Sequence, residues 1–97
     1  MEISWENISL YDKTNIIDLR DKYSYDKKHF QGSRNISYTM LLLYPQEYLK
    51  KEQEYILICE YGLKSKEVST ILNKMGYKTF SVNGGMQAYR YIQKNNY

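Results

Sequence analysis

Cys59 is the only thiol in this chain of 97 residues, and the stretch around it holds the residue types best suited to chemistry. An apolar run over 55–58 ends at Cys59, and Glu60-Tyr61-Gly62-Leu63-Lys64-Ser65 follows it. Because Gly62 tolerates backbone conformations that other residues resist, this loop can curl around the sulfur. Its N–H groups then point inward as an anion nest, with the positive end of the next helix behind them. Such a setting stabilises a thiolate, which is the nucleophilic form of cysteine.

Two polar residues at the end of the loop add to the predicted anion site. Lys64 contributes positive charge, and Ser65 offers a hydroxyl donor and a helix N-cap. The alternative interpretation is that Cys59 is a small buried hydrophobic residue without a reactive role. Spacing alone leaves both interpretations open.

The elements that must position this loop are predicted from the pattern of apolar residues. Runs of β-branched and apolar residues predict strands at 3–5, 15–20, 35–36, 54–59 and 77–82. Helices are predicted within 21–28 and at 38–44, 46–50, 64–75 and 86–94. Pro45 suits the first position of the third helix, and Gly76 suits a left-handed C-cap.

Two helices show an apolar face in the sequence. Helix 64–75 is expected to turn Val68, Ile71, Leu72 and Met75 inward, because these residues recur with helical spacing. The last helix is expected to turn Met86, Tyr89 and Ile92 inward.

The alternation of strands and helices predicts an α/β fold, a small parallel β-sheet with helices on both faces, formed by one domain over 1–97. Ligands of such sheets bind beyond the carboxyl ends of the strands, where Cys59 lies. Asp18 and Arg20 end a neighbouring strand at the same edge. They are expected to orient the loop through charge-assisted hydrogen bonds, or to act only as a strand-end ion pair that holds the fold.

Composition excludes several classes of function. The net charge of +3 comes from scattered lysines, so we expect no nucleic-acid binding. The N-terminus lacks the features of a signal peptide, and no apolar run approaches the ~20 residues that span a bilayer. With one cysteine no internal disulfide can form, and we expect a cytoplasmic protein without membrane contact.

The loop resembles the active loop of single-domain rhodanese-like sulfurtransferases, in which Cys-x-x-Gly-x-Arg-Ser/Thr is common. Further matches follow in the family's order and cover nearly the whole chain. Ile17-Asp18-Leu19-Arg20 is similar to an Asp-Val-Arg strand end, and 29–36 to His-Ile-Pro-Gly-Ala-x-Asn-Ile. Met75-Gly76-Tyr77 is similar to a Gly-Phe turn, and 83–89 to the Gly-Gly-x-x-Ala-Trp signature.

Three positions depart from the family pattern. Lys64 stands where arginine is usual, so a point charge replaces bidentate recognition of an oxyanion. Gln31 replaces the usual proline and Tyr89 the usual tryptophan, and these two changes concern packing. The resemblance places His29, the only histidine, in a packing loop away from the reaction.

The resemblance implies a rhodanese-type thiosulfate sulfurtransferase in which Cys59 is the catalytic nucleophile and carries a persulfide. The implied partners are a small anionic sulfur donor, thiosulfate or a persulfide, and a thiol or cyanide acceptor, with a sulfur-relay protein as a further candidate. No metal ion and no cofactor are expected. The implied substrate-binding residues are Glu60, Tyr61, Gly62, Leu63, Lys64 and Ser65, with Asp18 and Arg20 behind them.

Two other functions compete with sulfur transfer. Phosphatase or arsenate reductase loops have the form Cys-x5-Arg, and the sixth residue after Cys59 is Ser65, which disfavours that chemistry. A non-enzymatic sulfur carrier or protein-binding module on the same fold stays open. Tyr61 and Leu63 are expected to point outward, where they either contact such a partner or are simply exposed.

Overall fold

A five-stranded sheet forms the centre of the computed structural model, which describes residues 1–95. The predicted domain 1–97 includes residues 96 and 97, which lie outside the described residues. The strands are β1 Glu2–Ile3, β2 Ile16–Asp18, β3 Arg34–Asn35, β4 Glu54–Ile58 and β5 Lys78–Val82. The helices are α1 Lys22–Lys27, α2 Tyr38–Leu43, α3 Pro45–Tyr48, α4 Leu63–Lys74 and α5 Gly85–Asn95.

All strand pairings in the sheet are parallel, in the order β1-β5-β4-β2-β3. Side chains of alternate residues in a strand point to opposite faces, so each face of the sheet forms its own core. One core contains Ile17 and Leu57 with residues of α2 and α4, and the other contains Ile16 and Ile56 with Trp5 and residues of α5. The predicted α/β fold with helices on both faces is therefore confirmed.

The predicted first strand, 3–5, is placed too late. The strand ends at Ile3, and Trp5 begins a 3-10 turn that runs to Leu10. Trp5 is buried, and its Nε1–H donates to the carbonyl oxygen of Gly85 at 2.9 Å. This long-range contact, which no local pattern signals, replaces the continuation of the strand. The other element ends agree with the predicted ones to within two residues, as terminal turns and strand ends commonly do.

The buried face of α4 differs from the predicted one. Val68 and Leu72 are buried as expected, but Ile71 and Met75 are 41% and 44% exposed. Two serines take their places on the buried face, Ser65 and Ser69. Their hydroxyls bond to residues of β5, so the helix buries polar side chains that a search for apolar periodicity overlooks.

The predicted inward face of α5 is wrong at Ile92. Met86 is fully buried, and the ring of Tyr89 lies 4.7 Å from that of Trp5. Ile92 is 40% exposed, because the buried residues of this helix are confined to its first turn. Among residues 1–95, every helix is too short or too polar to cross a membrane.

Candidate active site

Cys59 follows the last residue of β4 at the carboxyl edge of the sheet, and its side chain is buried. Its Sγ accepts hydrogen bonds from the N–H groups of Gly62 at 3.1 Å and Ser65 at 3.2 Å. The hydroxyl oxygen of Ser65 lies 3.2 Å from the same sulfur. The loop therefore curls around the thiol, and its donors are arranged to hold negative charge on sulfur.

Gly62 makes this curl possible. It has φ of +88° and is the N-cap residue of α4. A Cβ at Gly62 would lie 2.9 Å from the backbone nitrogen of Gly84, so both the conformation and the packing require glycine.

The prediction that Ser65 caps α4 is wrong. The helix begins at Leu63, which makes Ser65 its third residue. The N–H groups of a first helical turn have no acceptor within the helix. The N–H of Ser65 is thus available to the sulfur, and its side chain is aimed at the thiol instead of back at the helix end.

The N-terminus of α5 holds the other side of the loop. The N–H of Met86 donates to the carbonyl oxygen of Cys59, and that of Gln87 to the carbonyl oxygen of Glu60, each at 2.9 Å. In a trans peptide the N–H points opposite to the carbonyl. These two bonds therefore turn the N–H groups of Glu60 and Tyr61 away from α5.

Ser81 lies behind the thiol, beside the predicted site residue Ser65, and was not predicted from the sequence. The hydroxyl oxygens of Ser65 and Ser81 are 2.6 Å apart, and Ser81 Oγ is 3.4 Å from the carbonyl oxygen of Gly62. Both side chains are almost fully buried. The available signal was the alternation of β5, which places Thr79 and Ser81 on one face of the strand.

Glu60 joins three segments of the chain. Its carboxylate lies 3.5 Å from Arg20 Nη1 and accepts hydrogen bonds from Arg90 Nη2 at 2.7 and 2.8 Å. Arg20 in turn binds the buried carboxylate of Asp18 through Nε and Nη2 and donates to the carbonyl oxygen of Lys28. The predicted connection of Asp18 and Arg20 to the loop is present, whereas the role of Arg90 was missed.

The charge of Arg20 is firmly maintained. Burial acts to lower the pKa of the guanidinium, but hydrogen bonding and charge from Asp18, together with the charge of Glu60, raise the pKa overall. Arg20 therefore stays a permanent cation between the end of β2 and the loop.

The charge of Lys64 is engaged by an acidic side chain and an aromatic ring. Its Nζ lies 3.3 Å from Glu67 Oε1 and 4.6 Å from the centre of the Tyr38 ring. Tyr61 and Leu63 are 58% and 76% exposed, as predicted. The loop thus presents an apolar and aromatic rim to solvent, with one lysine beside it.

The ring of His29 contacts Tyr25 and not the loop around the thiol. The imidazole stacks on the ring of Tyr25 at 3.9 Å, and Nδ1 is 2.8 Å from the carbonyl oxygen of Tyr25. These contacts fit the packing role that was expected of His29.

Comparisons with known proteins match the chain to one family of domains. A family model described as a rhodanese-like domain matches residues 5–91. YtwF, a candidate sulfurtransferase of Bacillus subtilis strain 168, is 44% identical over 43 residues, which cover 44% of this chain and 42% of that protein. The matched segment therefore spans less than half of YtwF. The thiosulfate sulfurtransferase GlpE of Pseudoalteromonas translucida is 28% identical over 87 residues, which cover 87% of this chain and 82% of GlpE.

The fold is also found in solved structures. A rhodanese-like domain protein from Staphylococcus aureus superposes with a TM-score of 0.78 at 20% identity. The superposition covers 92% of this chain and 91% of the S. aureus chain.

Proposed function

This chain belongs to the rhodanese-like domain family, and we propose from that premise that it is a thiosulfate or persulfide sulfurtransferase. The resemblance seen in the sequence is confirmed at the level of the family, in which sulfurtransferases are found. In the proposed reaction Cys59 carries the sulfane sulfur as a persulfide between an anionic donor and a thiophilic acceptor.

The first half-reaction loads the thiol. The Cys59 thiolate attacks the sulfane sulfur of thiosulfate, and a bond forms between Sγ and that sulfur while the bond between the two thiosulfate sulfurs breaks. Sulfite leaves with the electron pair of the broken bond. The sulfane sulfur moves as a neutral atom, so the step needs no external oxidant or reductant.

The second half-reaction restores the thiolate. Cyanide or a thiolate attacks the terminal sulfur of the persulfide, and the bond to Sγ breaks with its electron pair returning to Cys59. The products are thiocyanate or a new persulfide. Because the chain has a single cysteine, the acceptor must come from outside it.

The observation that carries this proposal is the convergence of donors from Gly62 and Ser65 on the sulfur of Cys59. Such donors stabilise the attacking thiolate before the reaction and the returning thiolate after it. The N–H groups of Leu63 and Lys64, which have no acceptor within the helix, supply further donors for the terminal sulfur. The α5 contacts hold the loop in this shape before any donor arrives.

Intact-mass measurement after incubation with thiosulfate tests the proposal. We expect one added sulfur atom on the native chain, its removal by cyanide, and no addition to Cys59→Ser. A native chain that gains no cyanide-removable sulfur with thiosulfate or with a low-molecular-weight persulfide would refute the proposal.

A sulfur-carrier role with a protein donor or acceptor is the second candidate, and the exposed rim of the loop favours it. Tyr61 and Leu63 place apolar surface beside a reactive thiol, where a protein partner would cover it. In this role the persulfide on Cys59 passes to a partner protein more efficiently than to cyanide.

Exchange kinetics separate the two candidates. The double variant Tyr61→Ser, Leu63→Ser keeps the N–H groups of the loop. In the carrier role it therefore loses much less rate with thiosulfate than with a protein persulfide, such as a loaded cysteine desulfurase. Leu10→Ser, which removes an apolar side chain that is 78% exposed elsewhere, is the matched control. Equal slowing with thiosulfate and with the protein donor would contradict the carrier role.

A further inference from the structure

Three buried side chains form a line of hydrogen-bonding groups that starts at the thiol. Cys59 Sγ lies 3.2 Å from Ser65 Oγ, and Ser65 Oγ lies 2.6 Å from Ser81 Oγ. Ser81 Oγ in turn lies 3.4 Å from the carbonyl oxygen of Gly62. The last group belongs to the residue whose N–H binds the sulfur. The line therefore leaves the sulfur, passes through α4 and β5, and returns to the same loop.

Each hydroxyl in this line can donate one hydrogen bond and accept others, so the line has two complete arrangements. When Cys59 is a thiol, S–H donates to Ser65, Ser65 donates to Ser81, and Ser81 donates to the Gly62 carbonyl. When Cys59 is a thiolate, the direction between the side chains reverses: Ser81 donates to Ser65, and Ser65 donates to the sulfur.

Among the side chains that the structure describes, every buried polar atom has a hydrogen-bond partner. Both arrangements use contacts that are already present, so neither requires a new one. The two arrangements differ in strength. The thiolate arrangement ends on a negative charge and uses the short Ser81–Ser65 contact to polarise the Ser65 hydroxyl. The thiol arrangement ends on the long contact to the Gly62 carbonyl. Ser81 therefore favours the ionised sulfur without touching it.

We propose that Ser81 is a positioning residue that keeps the Ser65 hydroxyl oriented as a donor to the Cys59 thiolate. The proposal deepens the sulfur-transfer function and rests on it for its biological meaning. In that reaction the sulfur is a thiolate before it attacks the donor and again when the acceptor removes the terminal sulfur, and at both points Ser81 keeps the Ser65 hydroxyl donating to it. The two hydroxyls reverse direction only when the sulfur gains or loses a proton.

The fold contains a matched pair for comparison one helical turn away. Ser69 of α4 and Thr79 of β5 are also buried, and their hydroxyl oxygens are 2.7 Å apart. The hydroxyl of Ser69 bonds to Thr79 and lies 3.5 Å from the side-chain nitrogen of Asn73. Ser69→Ala therefore removes the same kind of helix-to-strand hydroxyl contact from the same two elements without touching the line to the sulfur.

Alkylation of Cys59 by iodoacetamide, followed across pH, is the test. Because the chain has one cysteine, the reaction reports only this sulfur. In Ser81→Ala we expect the midpoint of the pH–rate profile to move upward by about half a pH unit and the rate below the midpoint to fall about threefold, as loss of a cooperative hydrogen bond to an anion implies. In Ser69→Ala the midpoint stays at its native value, although thermal unfolding reports a loss of stability.

Two substitutions of equal shape test the same proposal if Ser81→Ala fails to fold. Ser81→Thr keeps the hydroxyl and Ser81→Val lacks it, while both side chains suit a strand. We expect the threonine variant to keep the native midpoint and the valine variant to show the upward shift. Equal midpoints in these two variants, or the same shift in Ser69→Ala, would overturn the proposal.

Alkylation involves no sulfur donor, so the test is independent of the proposed reaction. A shifted profile in a protein that accepts no sulfur would leave the role of Ser81 intact and refute sulfur transfer. If the native chain accepts sulfur but Ser81→Val shows an unshifted profile, sulfur transfer stands and the role of Ser81 is refuted.

Discussion

Among the residues that the structure describes, Gly62 and Ser65 supply the donors that hold the sulfur of Cys59. The contribution of each residue depends on a feature of the backbone and not on its side chain alone. Gly62 supplies a left-handed turn, and Ser65 supplies an N–H from the first turn of α4. At this scale the chemistry is set by where the backbone turns, so a single Cβ is enough to disturb it.

Gly62→Ala tests this dependence against Gly76→Ala. Both glycines have positive φ, +88° and +100°, so each substitution costs about 1–2 kcal/mol of conformational strain. The new Cβ at position 76 meets only the Lys51 side chain, at 3.6 Å, whereas the one at position 62 lies 2.9 Å from the Gly84 nitrogen. We expect urea unfolding to show a larger loss for Gly62→Ala, and alkylation of Cys59 to slow only in that variant.

Equal stability losses in the two variants, with native alkylation in both, would contradict this account. Such a result would mean that the loop relaxes around the added Cβ without moving its donors.

At the scale of elements, the loop is supported from three sides. The strand β4 delivers Cys59, α4 supplies the N–H groups, and the first N–H groups of α5 bind the carbonyls of Cys59 and Glu60. The end of β2 adds an ion pair, in which Asp18 is fully buried and Arg20 is nearly so. Arg20 then reaches Glu60 of the loop, so the strand end and the loop share one charged network.

Asp18→Asn tests the contribution of that network to stability. The substitution leaves the nearly buried Arg20 with only the longer contact to the Glu60 carboxylate, and we expect a loss of roughly 2–4 kcal/mol. Asp26→Asn breaks the exposed pair with Lys22 and is expected to cost less than about 0.5 kcal/mol. Urea unfolding of both variants measures the difference, and equal midpoints would show that the buried pair contributes no more than a surface pair.

At the scale of the molecule, positive charge gathers beside the loop. A cleft at the carboxyl edge is lined by Arg20, Lys27, Lys28 and Arg90, with Glu60 as its one acidic side chain. Because Glu60 is already paired with both arginines, the two lysines dominate the field that an approaching anion meets. The positive charge beside the loop is therefore more concentrated than the net charge of +3 suggests, and it favours the approach of an anionic donor.

Competing alkylating agents test the effect of this charge. In the double variant Lys27→Gln, Lys28→Gln, we expect the rate of Cys59 alkylation by anionic iodoacetate, divided by the rate with neutral iodoacetamide, to fall roughly twofold to fourfold at low salt. The difference should fade at high ionic strength, as screening requires. Lys50→Gln, Lys51→Gln makes the same charge change before β4, at the opposite end of that strand, and should leave the ratio near the native value. An equal fall in both double variants would contradict local steering.

The sequence by itself determined the order of the elements and the place of the thiol. Apolar runs and helical spacing depend on residues a few positions apart, so β4, the loop and α4 were predicted to within about a residue. The ordered family motifs on either side identified the fold. The same local reasoning placed Tyr61 and Leu63 on the surface, where they are found.

Only the tertiary structure decided which distant residues complete the site. Arg90 reaches Glu60 from 30 residues away, and Ser81 reaches Ser65 from 16 residues away. These contacts depend on sheet order and register, which pair Leu57 of β4 with Ser81 of β5, and not on any local pattern. The same contacts rotate α4 so that it buries serines in place of Ile71 and Met75. Local spacing therefore predicted the nucleophile, while long-range packing determined the groups that hold it in place.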